Sequence, residues 1–458
     1  MSEKGIRNAK TLGYPKMLLL GFQHMFAMFG ATVLVPALTG LSVSATLLFA
    51  GLGTLLFHFL TKGKVPAFLG SSFAFIGGYA AVNAMCGTYA DIANFIPYAG
   101  IGVVCAGVLY VALSALVKAF GTKAVMRFFP PIVTGPVIIC IGLTLANSAI
   151  NNCVTNWWIA LLAIVIVVVC NIWGKGMIKI IPILLGVVGS YAAAAIFGQL
   201  DPAKVAALSE AAWIGIPFKM EDTVFSLFKN GNGGAIASAI FTMAPIALAT
   251  MVEHIGDMCA ISSTVGENFV EKPGLHRTLL GDGLATSLAA LFGAPANTTY
   301  GENTGVLALT KVFDPVVVRI AAVLAILFSF SPKFAALVSC MPAATIGGVS
   351  LILYGMISAV GVRNVVENQV DFTKNRNVII AALIMGLTLG IHFSSALGAD
   401  TMQSINGALS FTIGSVTISL SGLAVGALVG IILNAVLPGN DYVFGKNAQG
   451  DESVNFKV

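Results

Sequence analysis

Charge is placed along this chain in a way that divides it. No Asp, Glu, Lys or Arg occurs at 17–61, 65–90, 92–117, 128–174, 180–200, 230–252, 320–332, 334–362, 377–399 or 401–440. Apolar runs of this length read as membrane spans, each needing about 20 residues. Several hold two crossings with a polar turn between, as around Thr39–Ser44 and Asn147–Trp157, where Asn, Thr and Ser cluster. The pattern predicts an all-α polytopic membrane protein of about fourteen transmembrane segments, half before residue 198 and half after 233. Between the halves, Asp201, Lys204, Glu210, Lys219, Glu221, Asp222 and Lys229 make 199–232 the most polar internal stretch. The expected organisation is therefore a first unit over 1–198, an extracytoplasmic surface linker over 199–232, and a second unit with a cytoplasmic tail over 233–458.

The positive-inside rule places the basic start of the chain (Lys4, Arg7, Lys10, Lys16) in the cytoplasm. Alternate threading then brings Lys62 and Lys64, Lys118, Lys123 and Arg127, Lys175 and Lys179, Lys272 and Arg277, Arg363, Lys374 and Arg376, and the tail with Lys446 and Lys457 to the same side. Of the 24 basic residues, Lys204, Lys219, Lys229 and Lys333 alone fall outside. Both termini are thus expected in the cytoplasm, and the first apolar stretch, which lacks an Ala-x-Ala cleavage signal, reads as a retained span. An odd number of spans in each half requires two copies of a duplicated unit to run in opposite directions, as inverted repeats. Leu69–Ala81 (LGSSFAFIGGYAA) and Tyr300–Val312 (YGENTGVLALTKV) are each Gly-rich, polar at the start and too short for a full span. Each occupies the third place in its half. Paired broken segments of this kind, a short strand leading into a short helix, point to a binding site near the midplane; the plainer alternative is a pair of re-entrant loops.

Composition narrows the class. With 57% hydrophobic and 9% charged residues the chain cannot be a soluble globular protein, and the lipid bilayer is its solvent. Fifty glycines and seventeen prolines imply close-packed, interrupted helices rather than a plain leucine-rich bundle. The net charge of +5 is small and one-sided, which suits membrane orientation and argues against nucleic acid. Seven cysteines, an odd number without CxxC spacing, suggest neither a disulfide framework nor a zinc site. No metal and no cofactor is expected.

Eight ionisable groups lie inside the apolar regions: His24, His58, Glu253, His254, Asp257, Asp282, Glu302 and His392. An intramembrane charge costs a few kcal/mol or more unless it faces a cavity or a partner, so each is a functional candidate. The i, i+4 spacing sets Glu253 and Asp257 on one helical face, with His254 about 100° round. Two carboxylates on one buried face do not both ionise, which makes the pair a candidate to take up and release a proton; alternatively Asp257 stands at the water line. Glu302 follows Gly301 at the start of the second broken segment, where unpaired N–H groups of a helix terminus are donors beside its acceptor oxygens. Gly70–Phe73 offers a second set of donors from the opposite direction. A small planar heterocycle with alternating N–H and C=O groups fits this arrangement: Glu253 and Glu302 accept from ring N–H groups, backbone amides donate to ring carbonyls, and Phe73 or Tyr300 stacks on the ring. As alternatives, Glu302 is only a cap, and His24, beside Gln23, is either a site residue or a satisfied core histidine. Asp282, in Gly-Asp-Gly, suits an interhelical lock. Pro130-Pro131, Pro136, Pro342 and Gly347-Gly348 are hinge candidates. A metal-using enzyme at Glu253, His254 and Asp257 is disfavoured, since no HExxH or second His shares that face. An anion channel lacks the basic residue such a site needs.

These residues resemble the nucleobase/ascorbate transporter family (nucleobase:cation symporter 2). Its signature is an acidic or amide residue, then Asn, any residue, Gly, four more, and Thr with a basic residue; here stand Glu302-Asn303-Thr304-Gly305 and Thr310-Lys311. Gln23-His24, GSSFAF at 70–75, FPP at 129–131 and Glu253-His254 also agree, so the resemblance covers nearly the whole chain. Within the family the chain is similar to bacterial uracil permeases, which share the run before Glu302 (APANTTYGEN, 294–303); purine and xanthine members more often carry Gln at that position. The resemblance implies a core domain of spans one to four and eight to eleven, a gate domain of spans five to seven and twelve to fourteen, and a homodimer. It implies proton-coupled import of uracil across the cytoplasmic membrane by displacement of core against gate, with a xanthine or purine substrate as the alternative. It assigns ring binding to Glu253 and Glu302 with backbone groups at Phe73 and Gly301. A His four residues after the first Glu tunes proton coupling in uracil permeases; here that place is Asp257, a departure from the pattern.

Overall fold

The computed structural model describes residues 5–86, 92–394, 403–405, 408–413, 416–440 and 442. Lys4, Lys446 and Lys457, placed above by charge alone, lie outside the described residues. The first apolar run folds as two helices, α1 (Tyr14–Thr39) and α2 (Val43–Leu60). The division is local chemistry: Gly40 takes a left-handed φ of 76° and its N–H closes on the Pro36 carbonyl, while the Ser42 hydroxyl caps the Ala45 N–H. After α2 come β1 (Leu69–Ser71), a single tight turn at Phe73–Phe75, α3 (Ile76–Cys86) and α4 (Ile96–Phe120). The run 128–174 again gives two helices, α5 (Pro131–Val154) and α6 (Trp157–Ile172), with Asn156 capping the second. Next are α7 (Pro182–Ile196), α8 (Gly233–Val265, tightened at Ala244–Ile246 around Pro245), α9 (Leu275–Leu291), β2 (Asn297–Thr299) and α10 (Gly301–Thr310). Helix α11 (Pro315–Ser329) turns by 89° into the short helix Pro332–Ser339, and α12 (Ala343–Glu367) and α13 (Asn375–Phe393) follow.

Among the described residues seven helices are long and apolar enough to cross a membrane, or eight with the bent pair. Two expectations are corrected. Pro130 and Pro342 are N-caps and Pro131 the first residue of its helix, so these prolines start α5 and α12 rather than kink them; the missing N–H costs nothing there. Pro136 alone lies inside α5. The charge-free run 401–440 is not all helix: β3 (Gln403–Ile405), β4 (Ala408–Ile413) and β5 (Val416–Ser421) form an antiparallel sheet before α14 (Gly422–Val436). The strands alternate polar and apolar residues, and Ser410 and Ser419 meet across the ladder at 2.7 Å. Absence of charge marks a run as apolar but does not distinguish a period of two from one of 3.6.

The helices pack in two groups. In one, α12 lies along α5, α6 packs on α7 and α12, and α13 packs on α5 and α14. In the other, α9 lies on α4 and α2, α11 on α1 and α2, and α8 on α4. Small residues let the backbones close in. A Cβ on Gly107 of α4 would stand 2.5 Å from the Gly283 carbonyl of α9, and one on Gly361 of α12 would stand 2.8 Å from the Gly135 carbonyl of α5. Gly347 and Gly348 of α12 likewise abut the Ala149 and Ala160 carbonyls, close-packing points rather than free hinges. In the polar stretch, Asp201 caps the helix Pro202–Glu210, while Trp213, Ile214, Ile216 and Phe228 are exposed. All seven cysteines are free thiols.

Candidate functional site

The two broken segments meet. β1 and β2 pair antiparallel with Leu69 opposite Thr299 and Ser71 opposite Asn297, all buried. Two three-residue strands cannot hold each other alone, and hydroxyls from neighbouring helices brace them. Thr54 of α2 accepts from the Leu69 N–H at 2.9 Å, and Thr286 of α9 donates to the Asn297 carbonyl at 3.0 Å. Gly70 has no side chain because the Tyr300 ring lies against it: a Cβ there would meet Tyr300 Cζ at 2.4 Å. The Tyr300 hydroxyl donates to the Ser71 carbonyl at 2.9 Å and accepts from Thr32 of α1 at 3.3 Å. Tyr300, expected as a stacking partner, is 3% exposed and braces the strand crossing.

From this crossing the chain leaves in two directions as helix starts. Phe73 opens the tight turn before α3, and its ring stands edge-on to Tyr354 of α12 at 5.6 Å, a contact between the two packing groups. Glu302 stands in the first turn of α10. A Cβ on Gly77, Gly301 or Gly305 meets nothing within 4 Å, so both starts border open space. The next residue, Asn303, is fully buried and donates to the His24 carbonyl at 3.0 Å, with its amide nitrogen also 3.1 Å from His24 Nδ1. With Asn303 as donor, Nδ1 is the acceptor and the His24 proton sits on Nε2, an atom buried without a partner. His24 thus joins α1 to α10 directly beside Glu302.

Helix α8 packs along α10 and brings the other carboxylates. The Thr299 hydroxyl donates to Asp257 Oδ2 at 2.6 Å, a short, charge-assisted bond from β2 to α8. Glu253, one helical turn earlier, lies in Coulombic reach of Asp257, Asp282 and Glu302, and its Oε2 is buried with no hydrogen-bond partner. An unpaired carboxylate oxygen beside a helix terminus is poised to accept from a ligand N–H. His254 points elsewhere: its Nδ1 is 2.9 Å from Asp282 Oδ2 of α9, both side chains being fully buried. No aligned hydrogen bond forms between them, and the edges of Phe57 and Tyr110 pack on the imidazole. Asp282 therefore links α9 to α8 away from Glu253. His58 approaches the Ala67 carbonyl at 2.8 Å, and His392 lies on α13 in the other packing group.

Glu253, Asp257, Glu302, Gly301, Phe73 and His24 are thus gathered around the strand crossing. Sequence reasoning did not single out Thr299, whose hydroxyl holds Asp257, or Thr54, Thr286 and Tyr354. Lone hydroxyls in apolar runs carry no sequence signal that distinguishes a brace from a helix-internal bond.

Two broken segments joined by their strands, with carboxylates at a helix start inside a bundle of bilayer-length helices, define a multi-pass membrane carrier. The chain belongs to the nucleobase/ascorbate transporters: residues 15–397 match the Permease family. It is a transporter and not an enzyme. It is 40% identical over 443 residues to the uracil permease of Bacillus caldolyticus, covering 95% of this chain and 94% of that one. It is 39% identical over 429 residues to the uracil permease of Bacillus subtilis, covering 91% of each. In fold it is similar to the transmembrane domain of a cyanobacterium bicarbonate transporter, BicA (TM-score 0.57, 15% identity, 94% of this chain and 99% of that one), and to SLC26A9 (TM-score 0.62, 12% identity, 94% and 66%).

Proposed function

We propose that this protein imports uracil across the cytoplasmic membrane together with protons, by displacement of a core domain against a gate domain. One observation carries the reading: Glu253 has a buried, unpaired carboxylate oxygen on the helix packed against α10, which Glu302 opens. Uracil presents ring N–H groups and carbonyls around one plane. Glu253 and Glu302 accept from the N–H groups, backbone amides at Phe73 and Gly301 donate to the carbonyls, and Phe73 supplies the aromatic face. Similarity to uracil permeases along almost the full length supports this substrate over a purine. Asp257, held by Thr299, and Glu253 are the proton carriers, with His24 as their support. Protonation from the outside favours the loaded site, and release of the proton to the inside weakens it.

The architecture in this reading has fourteen spans in two inverted repeats, 1–198 and 233–458, joined by the linker 199–232. The eight spans of long helices and the bent pair are completed by the shorter apolar helices 73–86, 157–172, 182–196 and 422–436, and by α9 and α10. The packing supports the repeat. Advancing each helix seven places converts α1·α11 into α8·α4, α2·α11 into α9·α4, α6·α7 into α13·α14 and α6·α12 into α13·α5, and all eight pairs are in contact. The core is then α1–α4 with α8–α11, and the gate α5–α7 with α12–α14, in a homodimer with both termini in the cytoplasm. Labelled uracil uptake into proteoliposomes, with and without an inward proton gradient and with excess xanthine, tests the reading. Gradient-stimulated uptake that xanthine leaves intact is expected. Gradient-independent uptake refutes symport, and suppression by xanthine moves the substrate to purines.

A further inference from the structure

The residues preceding α1 are built into the fold at one end of the bundle. The Ile6 N–H donates to the Lys311 carbonyl at 2.8 Å, and the Phe313 N–H donates to the Ile6 carbonyl at 2.9 Å, a parallel bridge of Ile6 with Val312. The Ala9 N–H donates to Asp314 Oδ2 at 2.8 Å, while Asp314 Oδ1 caps α11 through the Val316 N–H at 2.9 Å. Arg7 pairs with Glu267, and its Nη2 donates to the Val265 carbonyl at 3.2 Å. Val265 is the last residue of α8, so the guanidinium serves one of the unpaired carbonyls at the negative end of that helix. Lys311 to Asp314 directly follow α10. One short segment therefore holds the C-terminal ends of both helices that carry the site carboxylates, α8 with Glu253 and Asp257 and α10 with Glu302.

We propose that residues 5–12 are a positioning strap, which fixes the separation of the α8 and α10 ends and through it the spacing of Glu253 from Glu302. The effect on binding rests on the uracil-site reading above; the effect on helix separation does not. Three contacts of different kinds act together: a backbone bridge, a buried carboxylate shared between strap and helix cap, and a half-exposed ion pair. Loosening them lowers the fraction of protein with the binding-competent spacing, and apparent affinity falls by that fraction. Arg7, Glu267 and Asp314 are positioning residues.

The test uses the full chain with its seven cysteines replaced, spin labels at Thr264→Cys and Leu309→Cys near the two helix ends, and equilibrium binding of labelled uracil in detergent. Arg7→Ala, Glu267→Ala and Asp314→Asn are compared with the unsubstituted strap. Asp314→Asn keeps the shape, but its amide accepts at one atom only, so it cannot serve Ala9 and Val316 together. The expected result is a broadened label distance in all three and uracil affinity lower by about three- to tenfold, with both recovered by the exchange R7E/E267R. Unmoved distances overturn the proposal whether or not affinity falls. Should Asp314→Asn fail to fold, the half-exposed Arg7 and Glu267 variants carry the test. Broadened distances in a protein whose unsubstituted form binds no uracil would leave the strap standing and remove the substrate reading.

Discussion

Replacing Gly70 by Ala tests the strand crossing on which the site stands. The new Cβ would lie 2.4 Å from Tyr300 Cζ and 2.5 Å from Cε2, where carbon atoms normally keep about 3.5–4.0 Å. The ring must retreat by about 1 Å, and it is not free to do so. Its hydroxyl donates to the Ser71 carbonyl at 2.9 Å and accepts from Thr32 at 3.3 Å, and the Tyr300 N–H donates to the Phe68 carbonyl at 3.0 Å. Overpacking costs about 1–3 kcal/mol, and each hydroxyl bond pulled beyond range costs about 1 kcal/mol. The sum, about 2–5 kcal/mol, is a large part of the ~5–15 kcal/mol by which proteins are stable. Unfolding in mixed micelles, read by tryptophan fluorescence, measures it. Repeating the substitution in Tyr300→Phe separates the parts: the clash persists, but the hydroxyl bonds are already gone, so the Gly70→Ala penalty should shrink by about 1–2 kcal/mol. An unchanged stability, or an equal penalty in both backgrounds, would refute the brace.

Three other expectations follow from the same geometry. Thr299→Val keeps shape but takes the donor from Asp257 Oδ2, a loss of about 1.5–3 kcal/mol for a hydrogen bond to a charged group; uptake should fall and change its pH profile, and Thr299→Ser should restore both. Glu302→Gln places an N–H₂ where the ring N–H needs an acceptor, so uracil affinity measured by equilibrium binding should drop about tenfold or more at an unchanged melting temperature. Gly283→Ala sets a Cβ 2.4 Å from Tyr110 Cβ and 2.8 Å from the Gly107 carbonyl, and as backbone cannot yield, a stability loss of about 1–3 kcal/mol or more is expected. Gly283→Ala with wild-type stability would mean that α4 and α9 do not cross as closely as described.

Much of the site was legible because membrane burial makes polarity rare and therefore informative. Glu253, Asp257 and Glu302 stood out as charges that hydrocarbon would not tolerate without purpose, and Gly301 and Gly305 as glycines in a segment too short to span. The turns between paired helices were visible in Thr39–Ser44 and Asn147–Trp157, since caps are local interactions of neighbouring residues. Tertiary structure alone decided which distant groups meet. Thr299 against Asp257, Asn303 against His24, His254 against Asp282 and the amino-terminal strap against α8 and α10 join residues 28 to 305 positions apart, and no periodicity within a run encodes such pairings. It also decided that 401–440 holds a sheet as well as a helix, because in an apolar run without charge both periods bury their side chains and only the packing partners select between them. Tyr300 shows the same limit: an aromatic beside a glycine-rich start reads equally as a ligand platform or a brace, and what settles it is Gly70, brought under its ring by a strand more than two hundred residues away.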